Sequence, residues 1–349
     1  MVCSFTALDE FFGVGSAPLS FERFDGDLVA LAKTVDGLSF PGLPYADAVS
    51  EAGAARVRYR CSDGEAGVAY PQARLARLSA RKSFDARDGV YARLRDATPV
   101  PVSAPPELVL FEAAVLASRY PYDPDPAYIP SAPAGLPARY QRDLLELVVT
   151  GGRPAKGLEL LFRAGFIDGY WPEIADLVGV SQSKDFHPEG DAWRHTMETF
   201  GYRKSPDLLL SLALLLHDTG KPEAVSAGGN RFDGHSELGE RAARGLLSRL
   251  GYPGSTTDSV AFLVRYHMLP AALPRLPPSS IGRILDDPLF PVLLELYRCD
   301  ESSTFRGPGG YYDACAAYKA YLRNAKNPYR DRDGKRRQDA LHRPSPRTI

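Results

Sequence analysis

The run Leu208-Leu209-Leu210-Ser211-Leu212-Ala213-Leu214-Leu215-Leu216 constrains this chain more than any other stretch. Eight of its nine residues are apolar, and His217-Asp218-Thr219-Gly220-Lys221 follows at once. Such a run is too short to cross a bilayer, which takes about 20 apolar residues. It suits a helix buried on nearly every side of a globular core. Gly220 is expected to cap that helix and Pro222 to prevent its continuation. An imidazole and a carboxylate then sit side by side at the last turn of the deepest helix. Burial there costs several kcal/mol unless both groups are compensated, and a metal ion would compensate both.

The rest of the composition sets bounds. A chain of 349 residues with 44% apolar content can bury a sizeable core in two domains, or three small ones. The net charge of -1 gives no overall pull towards nucleic acid or membrane. Its distribution is less even. From Arg330 onward seven Lys/Arg and three Asp make a net +4, which leaves residues 1–329 at -5. A basic tail of this kind is compatible with contact to a polyanion, although a solvated, partly disordered tail is the commoner case. The amino terminus lacks a basic n-region and an apolar h-region, so no signal peptide is expected. Cys3, Cys61, Cys299 and Cys315 form no C-x-x-C pair and read as reduced thiols. The expectation is a soluble, cytoplasmic protein with no membrane partner.

Along the chain, residues 1–100 carry short elements and many turn signals. Ala55 to Cys61 alternates apolar and basic residues, as a half-exposed strand does. This predicts a small N-terminal α+β domain. Pro101 to Pro106 reads as a linker or a stiff lead into a helix, and Glu107–Tyr120, Arg139–Val149 and Pro154–Ala164 as helices of a neck spanning 101–170. The proline-rich segment from Pro121 to Pro137 reads as a loop. From Trp171 the pattern is mostly helical. Helices are expected over Asp191–Tyr202, the Leu208 run, Ser236–Leu250, Thr257–His267, Ser279–Asp286, Pro288–Ser303 and Tyr311–Ala325. The predicted fold is mainly α: a C-terminal helical domain over 171–327, preceded by the helical neck and the small α+β domain, with a basic tail at 328–349.

Five of the six histidines, His187, His195, His217, His235 and His267, fall within one window, and only His342 lies in the tail. Asp191, Asp218, Asp233 and Asp300 follow the same geography. Asp300 comes about one turn after the mostly apolar run Val292–Leu296, where a charge needs a partner. His195, His217, Asp218 and Asp300 make a mixed nitrogen and oxygen set that suits Mg, Mn, Fe, Co, Ni or Zn. A thiolate-free set with open positions is of the catalytic type, because the metal can bind and acidify a water.

The order His195, His217-Asp218, Asp300 resembles the HD superfamily of metal-dependent phosphohydrolases. The resemblance is closer still to the HD domain of bacterial CCA-adding tRNA nucleotidyltransferases and their poly(A) polymerase relatives. Trp171-Pro172-Glu173-Ile174, the stretch His187 to Thr196, Leu216 to Lys221, Gly234-His235-Ser236 and Tyr266-His267 carry it, over roughly residues 107–310. The resemblance implies that His195, His217, Asp218 and Asp300 ligate a divalent metal and that Lys221 reaches a substrate phosphate. It also implies that His235 and His267 complete a second metal position or contact phosphate. Asp218 would double as the group that orients the attacking water.

The amino-terminal half departs from that family. Its nucleotidyltransferases need a Gly-Gly or Gly-Ser turn followed by two carboxylates that hold Mg²⁺ against a triphosphate. Gly15-Ser16 with Asp25-Gly26-Asp27 is the candidate here, and its flanking strand is poor. Where the family carries its base-selecting Glu-Asp-x-x-Arg, this chain has Pro105-Pro106-Glu107-Leu108-Val109. Residues 1–100 therefore read as a reduced nucleotidyltransferase-like domain. The expected activity is hydrolysis of a nucleotide or RNA-end phosphate ester, such as a 2′-phosphate or 2′,3′-cyclic phosphate, with tRNA a possible substrate body. The rivals are a working tRNA nucleotidyltransferase that depends on Asp25 and Asp27, and an RNA- or nucleotide-binding module with a structural HD site.

Overall fold

The structure is a computed structural model. It describes residues 106–337 apart from 122, 125–126, 128, 137, 182–189, 227–231 and 306, together with the backbone of six short strands between Val2 and Asp85. Ala46–Glu51 pairs antiparallel with Ala54–Tyr59, which pairs in turn with Ala69–Pro71. The expected strand at Ala55–Cys61 falls on the second of these. The predicted α+β character of residues 1–100 rests mostly on residues outside those described, as do Gly15, Ser16, Asp25 and Asp27.

From Pro106 onward the described residues are mainly helical. The chain forms two compact units. One holds residues 1–175, 204–211 and 246–253, and the other holds 176–203, 212–245 and 254–349.

In the first unit, α1 (Pro106–Arg119) is buried on every side over its described side chains from Leu110 on, and α2 (Ala138–Val149) and α3 (Pro154–Arg163) are amphipathic helices that bury their apolar faces. Helices α1 and α3 approach closely because Gly157 has no side chain. A Cβ there would lie 2.6 Å from the Ala114 carbonyl oxygen and 2.9 Å from Ser118 Cβ. Arg153, just before α3, donates from Nη2 to the carbonyls of Ala117 (3.0 Å) and Tyr120 (2.5 Å), closing the end of α1. Phe166 stands edge-on to both Phe111 (6.0 Å) and Trp171 (5.0 Å). The Arg249 guanidinium meets the Glu173 carboxylate in two contacts, at 2.5 and 2.8 Å.

The second unit carries α4 (Ala192–Thr199), α5 (Lys221–Ser226), α6 (Gly254–Tyr266), α7 (Phe290–Ser302) and α8 (Gly309–Ala325). Asp191 caps α4 by accepting from Arg194 N (2.9 Å) and also accepts from Gly179 N (3.1 Å), so its role is structural. The Leu208–Leu216 helix and the His235–Arg249 helix form as expected. The predicted helix over Ser279–Asp286 does not. It is broken into a 3₁₀ turn at Pro278–Ser280 and a single α turn at Gly282–Leu285. Pro277, Pro278, two serines and Gly282 are too poor a set of helix formers to bridge the gap.

Part of the basic tail is also folded. Arg330 and Arg336 form an antiparallel bridge, and Asp333 accepts from the Ser279 amide and hydroxyl, both at 2.8 Å. Residues 328–337 are therefore folded, while most of their side chains stay exposed to solvent as expected. Among the described residues no helix is long and apolar enough to cross a membrane.

Gly157→Ala should force α1 and α3 apart and destabilise the chain by about 1–3 kcal/mol, the usual cost of overpacking. A urea melt checks this, and an unchanged midpoint would mean that the helices do not meet at Gly157.

Candidate metal centre

Seven of the residues singled out from the sequence, His195, His217, Asp218, Lys221, His235, His267 and Asp300, lie in the second unit, and the structure brings them into one cluster. The Leu208–Leu216 helix ends as a row of open carbonyls. His217 Nδ1 donates to the Leu214 carbonyl (2.8 Å), and the Thr219 hydroxyl donates to that of Leu216 (2.7 Å). His267, one residue past α6, repeats the device: its Nδ1 donates to the Val264 carbonyl at 2.7 Å. His235 donates to the Phe232 carbonyl at 2.6 Å. In each case the bond runs from a histidine to the carbonyl three residues earlier. A carbonyl can only accept, so Nδ1 carries the proton and Nε2 of the neutral ring presents a lone pair to the centre. A metal-ligating histidine is held in this way.

His195 on α4 is held by a residue that the sequence reading did not single out. Its Nδ1 lies 3.2 Å from Ser303 Oγ, and that hydroxyl donates its own proton to the Asp300 carbonyl (2.6 Å). Ser303 thus accepts from His195 Nδ1, and His195 Nε2 faces Asp300 Oδ1 at 2.9 Å. The signal in the sequence was the spacing: Ser303 follows Asp300 by three, close to one helical turn.

The donors fall into two triads. His195, His217 and Asp300 form one, and Asp218, His235 and His267 the other; within each, the ligand atoms lie within 4.8 Å of one another. Asp218 faces both. Its Oδ2 is 3.3 Å from His217 Nε2 and 3.9 Å from His195 Nε2, while its Oδ1 is 3.9 Å from the Nε2 atoms of His235 and His267. His187, in contrast, lies outside the described residues, and Asp233 is exposed.

Two observations test whether a cation fits. The first is at His235 and His267, whose Nε2 atoms are 3.1 Å apart. Burial pushes His267 down to about 4, and burial lowers His235 as well, so neither ring gains a second proton at neutral pH. Two lone pairs then face each other with Asp218 alongside. The second is at His217 Nε2 and Asp218 Oδ2, both buried and not aligned for a hydrogen bond with each other.

Burial would raise the Asp218 carboxyl, but His217, Lys221 and His195 outweigh it and hold the group well below the usual carboxylate range. Burial likewise opposes ionisation of Asp300, and the His195 contact and His217 overcome it. Both carboxylates are ionised, Lys221 supplies one positive charge, and His235 and His267 stay neutral. A divalent ion fits that donor set.

Lys221 is buried, with Nζ 2.6 Å from Asp218 Oδ2 and 5.0 Å from the centre of the Phe232 ring. Gly220 does not act as a left-handed cap, since its φ is not positive. It serves a close approach instead. An added Cβ would collide with the His235 carbonyl oxygen and with the Gly239 amide nitrogen, so this glycine lets the His235–Arg249 helix abut the His217-Asp218 turn.

Two measurements follow. His267 titrates at about 4 in the fold against an ordinary 6.5, so the unfolded chain binds the extra proton first as pH falls. The metal-free protein should lose stability from about pH 6.5 down towards pH 4, with the lowered Asp218 and Asp300 adding to the loss below that. Thermal melts of chelator-treated protein across this range check the sign, and a rising midpoint on acidification would contradict it. Ser303→Ala should weaken divalent-metal affinity by about 10- to 100-fold without unfolding the chain, as removal of a group that orients a ligand does. Calorimetric titration with Mn²⁺ or Co²⁺ reads this out.

Residues 194–287 match the family model described as the HD domain. The chain is 37% identical over 151 residues to the CC-adding tRNA nucleotidyltransferase of Thermus thermophilus, a match covering 40% of this chain and 34% of that protein. It is 33% identical over 150 residues to the multifunctional CCA protein of Halorhodospira halophila, covering 42% and 35%. With the A-adding tRNA nucleotidyltransferase of Deinococcus radiodurans the identity is 34% over 136 residues, covering 37% and 31%. The chain therefore spans about a third of the length of these relatives. Residues 194–287 thus match an HD domain, and the chain is similar over about 150 residues to part of a CC-adding tRNA nucleotidyltransferase and of a multifunctional CCA protein.

Proposed function

We propose that the chain is a metal-dependent phosphohydrolase that cleaves a phosphate ester on a nucleotide or an RNA end, as a phosphatase or a 2′,3′-cyclic phosphodiesterase. The observation that carries this reading is the pair of donor triads that meet at Asp218. In it, His195, His217, Asp218 and Asp300 hold the metal. When bound, a divalent ion there supplies Lewis-acid polarisation of a phosphoryl oxygen and a water acidic enough to react near neutral pH.

The chain's own residues do the rest. Asp218 Oδ1, on the side of His235 and His267, accepts a hydrogen bond from the attacking water and aims it. Held far below the ordinary carboxylate range, Asp218 orients that water rather than keeping its proton. His235 and His267 offer unprotonated Nε2 atoms beside it. His235, with 11% of its side chain exposed against 1% for His267, is the one that can pass a proton to solvent. Were a second ion bound there instead, the same two rings and Asp218 Oδ1 would be its donors. Lys221 adds a fixed positive charge for the phosphate.

The names of the relatives favour tRNA as the body of the substrate. They also support a second reading, nucleotide addition, which would depend on Asp25 and Asp27. In the proposed organisation residues 1–100 are the reduced nucleotidyltransferase-like domain, 101–170 the neck, 171–327 the phosphohydrolase domain and 328–349 the basic tail of a cytoplasmic protein.

His217→Ala and Asp218→Ala should reduce metal-stimulated hydrolysis of 2′,3′-cyclic nucleotides and phosphate monoesters to background in an assay of the metal-reconstituted protein. Full activity in either variant overturns the reading. Incorporation of labelled CTP into tRNA that is lost in Asp25→Ala, with no hydrolysis, would put the second reading in its place.

A further inference from the structure

Residues 329–337 form a hairpin whose charges are sorted. Arg337 N donates to the Tyr329 carbonyl at 3.0 Å and Asp331 N to the Lys335 carbonyl at 2.9 Å, which flank the Arg330–Arg336 bridge on either side. Arg330 and Arg336 are thus a non-hydrogen-bonded cross-strand pair, the kind with the closer side chains. Like charges placed directly opposite destabilise a ladder, so this pairing needs another reason.

The acidic residues of the hairpin are turned inward to hold it. Asp333 accepts from the Ser279 amide and hydroxyl, and Asp331 Oδ1 accepts from the Lys335 amide at 2.8 Å. Arg332 is engaged as well, 2.9 Å from Asp286 Oδ2 and 5.8 Å from the centre of the Tyr321 ring. What remains outward is Arg330, Lys335, Arg336 and Arg337, all exposed, and Tyr329 at 65% exposure. Of the four cations, Lys335 stands close enough to Asp333 to help lower its carboxyl. Arg330 gives one of its five donors to the Gly334 carbonyl (2.8 Å), which fixes its guanidinium over the turn.

We propose that this hairpin is a docking surface for the phosphate backbone of RNA, separate from the metal centre. Strand alternation puts Arg330 and Arg336 on one face of this short, anchored hairpin and Lys335 and Arg337 on the other, so a phosphate backbone passing along its edge meets guanidiniums from both faces, and arginine forks grip a phosphate in two contacts each. Tyr329 offers a ring face on which an unpaired base can stack. A lipid surface is the poorer fit, because Tyr329 is the one large apolar side chain that the hairpin exposes.

Fluorescence anisotropy of the full chain with a labelled RNA hairpin bearing a single-stranded 3′ end, over a range of salt, tests this. The combined variant Arg330→Gln, Lys335→Gln, Arg336→Gln, Arg337→Gln should bind more weakly and lose about 3 from the slope of log affinity against log salt. Metal content and melting temperature should stay as in the parent. Asp333→Asn should also weaken binding, although it makes the chain more positive, because it releases the hairpin from Ser279. An unchanged affinity and slope in the combined variant overturns the proposal. So does tighter binding by Asp333→Asn, which would mean that charge alone acts, or a preference for anionic phosphatidylserine vesicles over the RNA. Asp218→Ala should keep RNA binding intact, so a failure of the hydrolase reading and a failure of this one are read separately.

Discussion

The centre depends on one repeated bond: a histidine Nδ1–H donated to the carbonyl three residues earlier. It occurs at His217, His235 and His267, and it does two things in each case. It satisfies a backbone acceptor that helix geometry or a turn leaves open, and it commits the ring to the tautomer that offers Nε2 as a lone pair. The backbone thereby writes the protonation state of the site. Once three such rings and two ionised carboxylates are gathered together, most of them buried, the cluster is electrostatically incomplete, and a divalent ion would complete it.

Asp218 is where the demands meet. Its two oxygens face different triads, and Lys221 Nζ already sits on the oxygen nearer His217. A carboxylate buried this deeply would protonate in isolation; here His217, Lys221 and His195 keep it ionised against its burial. Gly220 is part of the same arrangement, because only a residue without a Cβ lets the His235 helix come close enough for its ring to face Asp218. The unit therefore positions its ligands through backbone contacts as much as through side chains, and Ser303 supplies for His195 what carbonyls supply for the other three.

Much of this was legible in the sequence. The apolar run ending in His-Asp, the histidine window and the place of Asp300 after an apolar stretch marked His195, His217, Asp218 and Asp300 as one cluster. Helical periodicity located most helices to within a few residues. The Ser279–Asp286 segment was misread because its period is helical while its prolines, serines and glycine oppose the helix. For the tail, composition records charge but not which charges are anchored. Asp331 and Asp333 look like diluents of a basic run, and in the fold they are its attachments.

What the sequence determined by itself was the inventory: a helix that must be buried, a titratable pair that must be compensated, and nitrogen and oxygen donors without thiolates. These follow from local chemistry, which residue type and spacing express directly. Only the tertiary structure decided how the donors divide into two triads and which oxygen of Asp218 serves each. The same holds for Lys221, which is bonded to Asp218, and for Gly220, which serves close packing instead of capping. Those choices depend on distances between elements far apart in the chain, such as α4 against α7 at His195 and Asp300, and residue spacing along the chain carries no record of them.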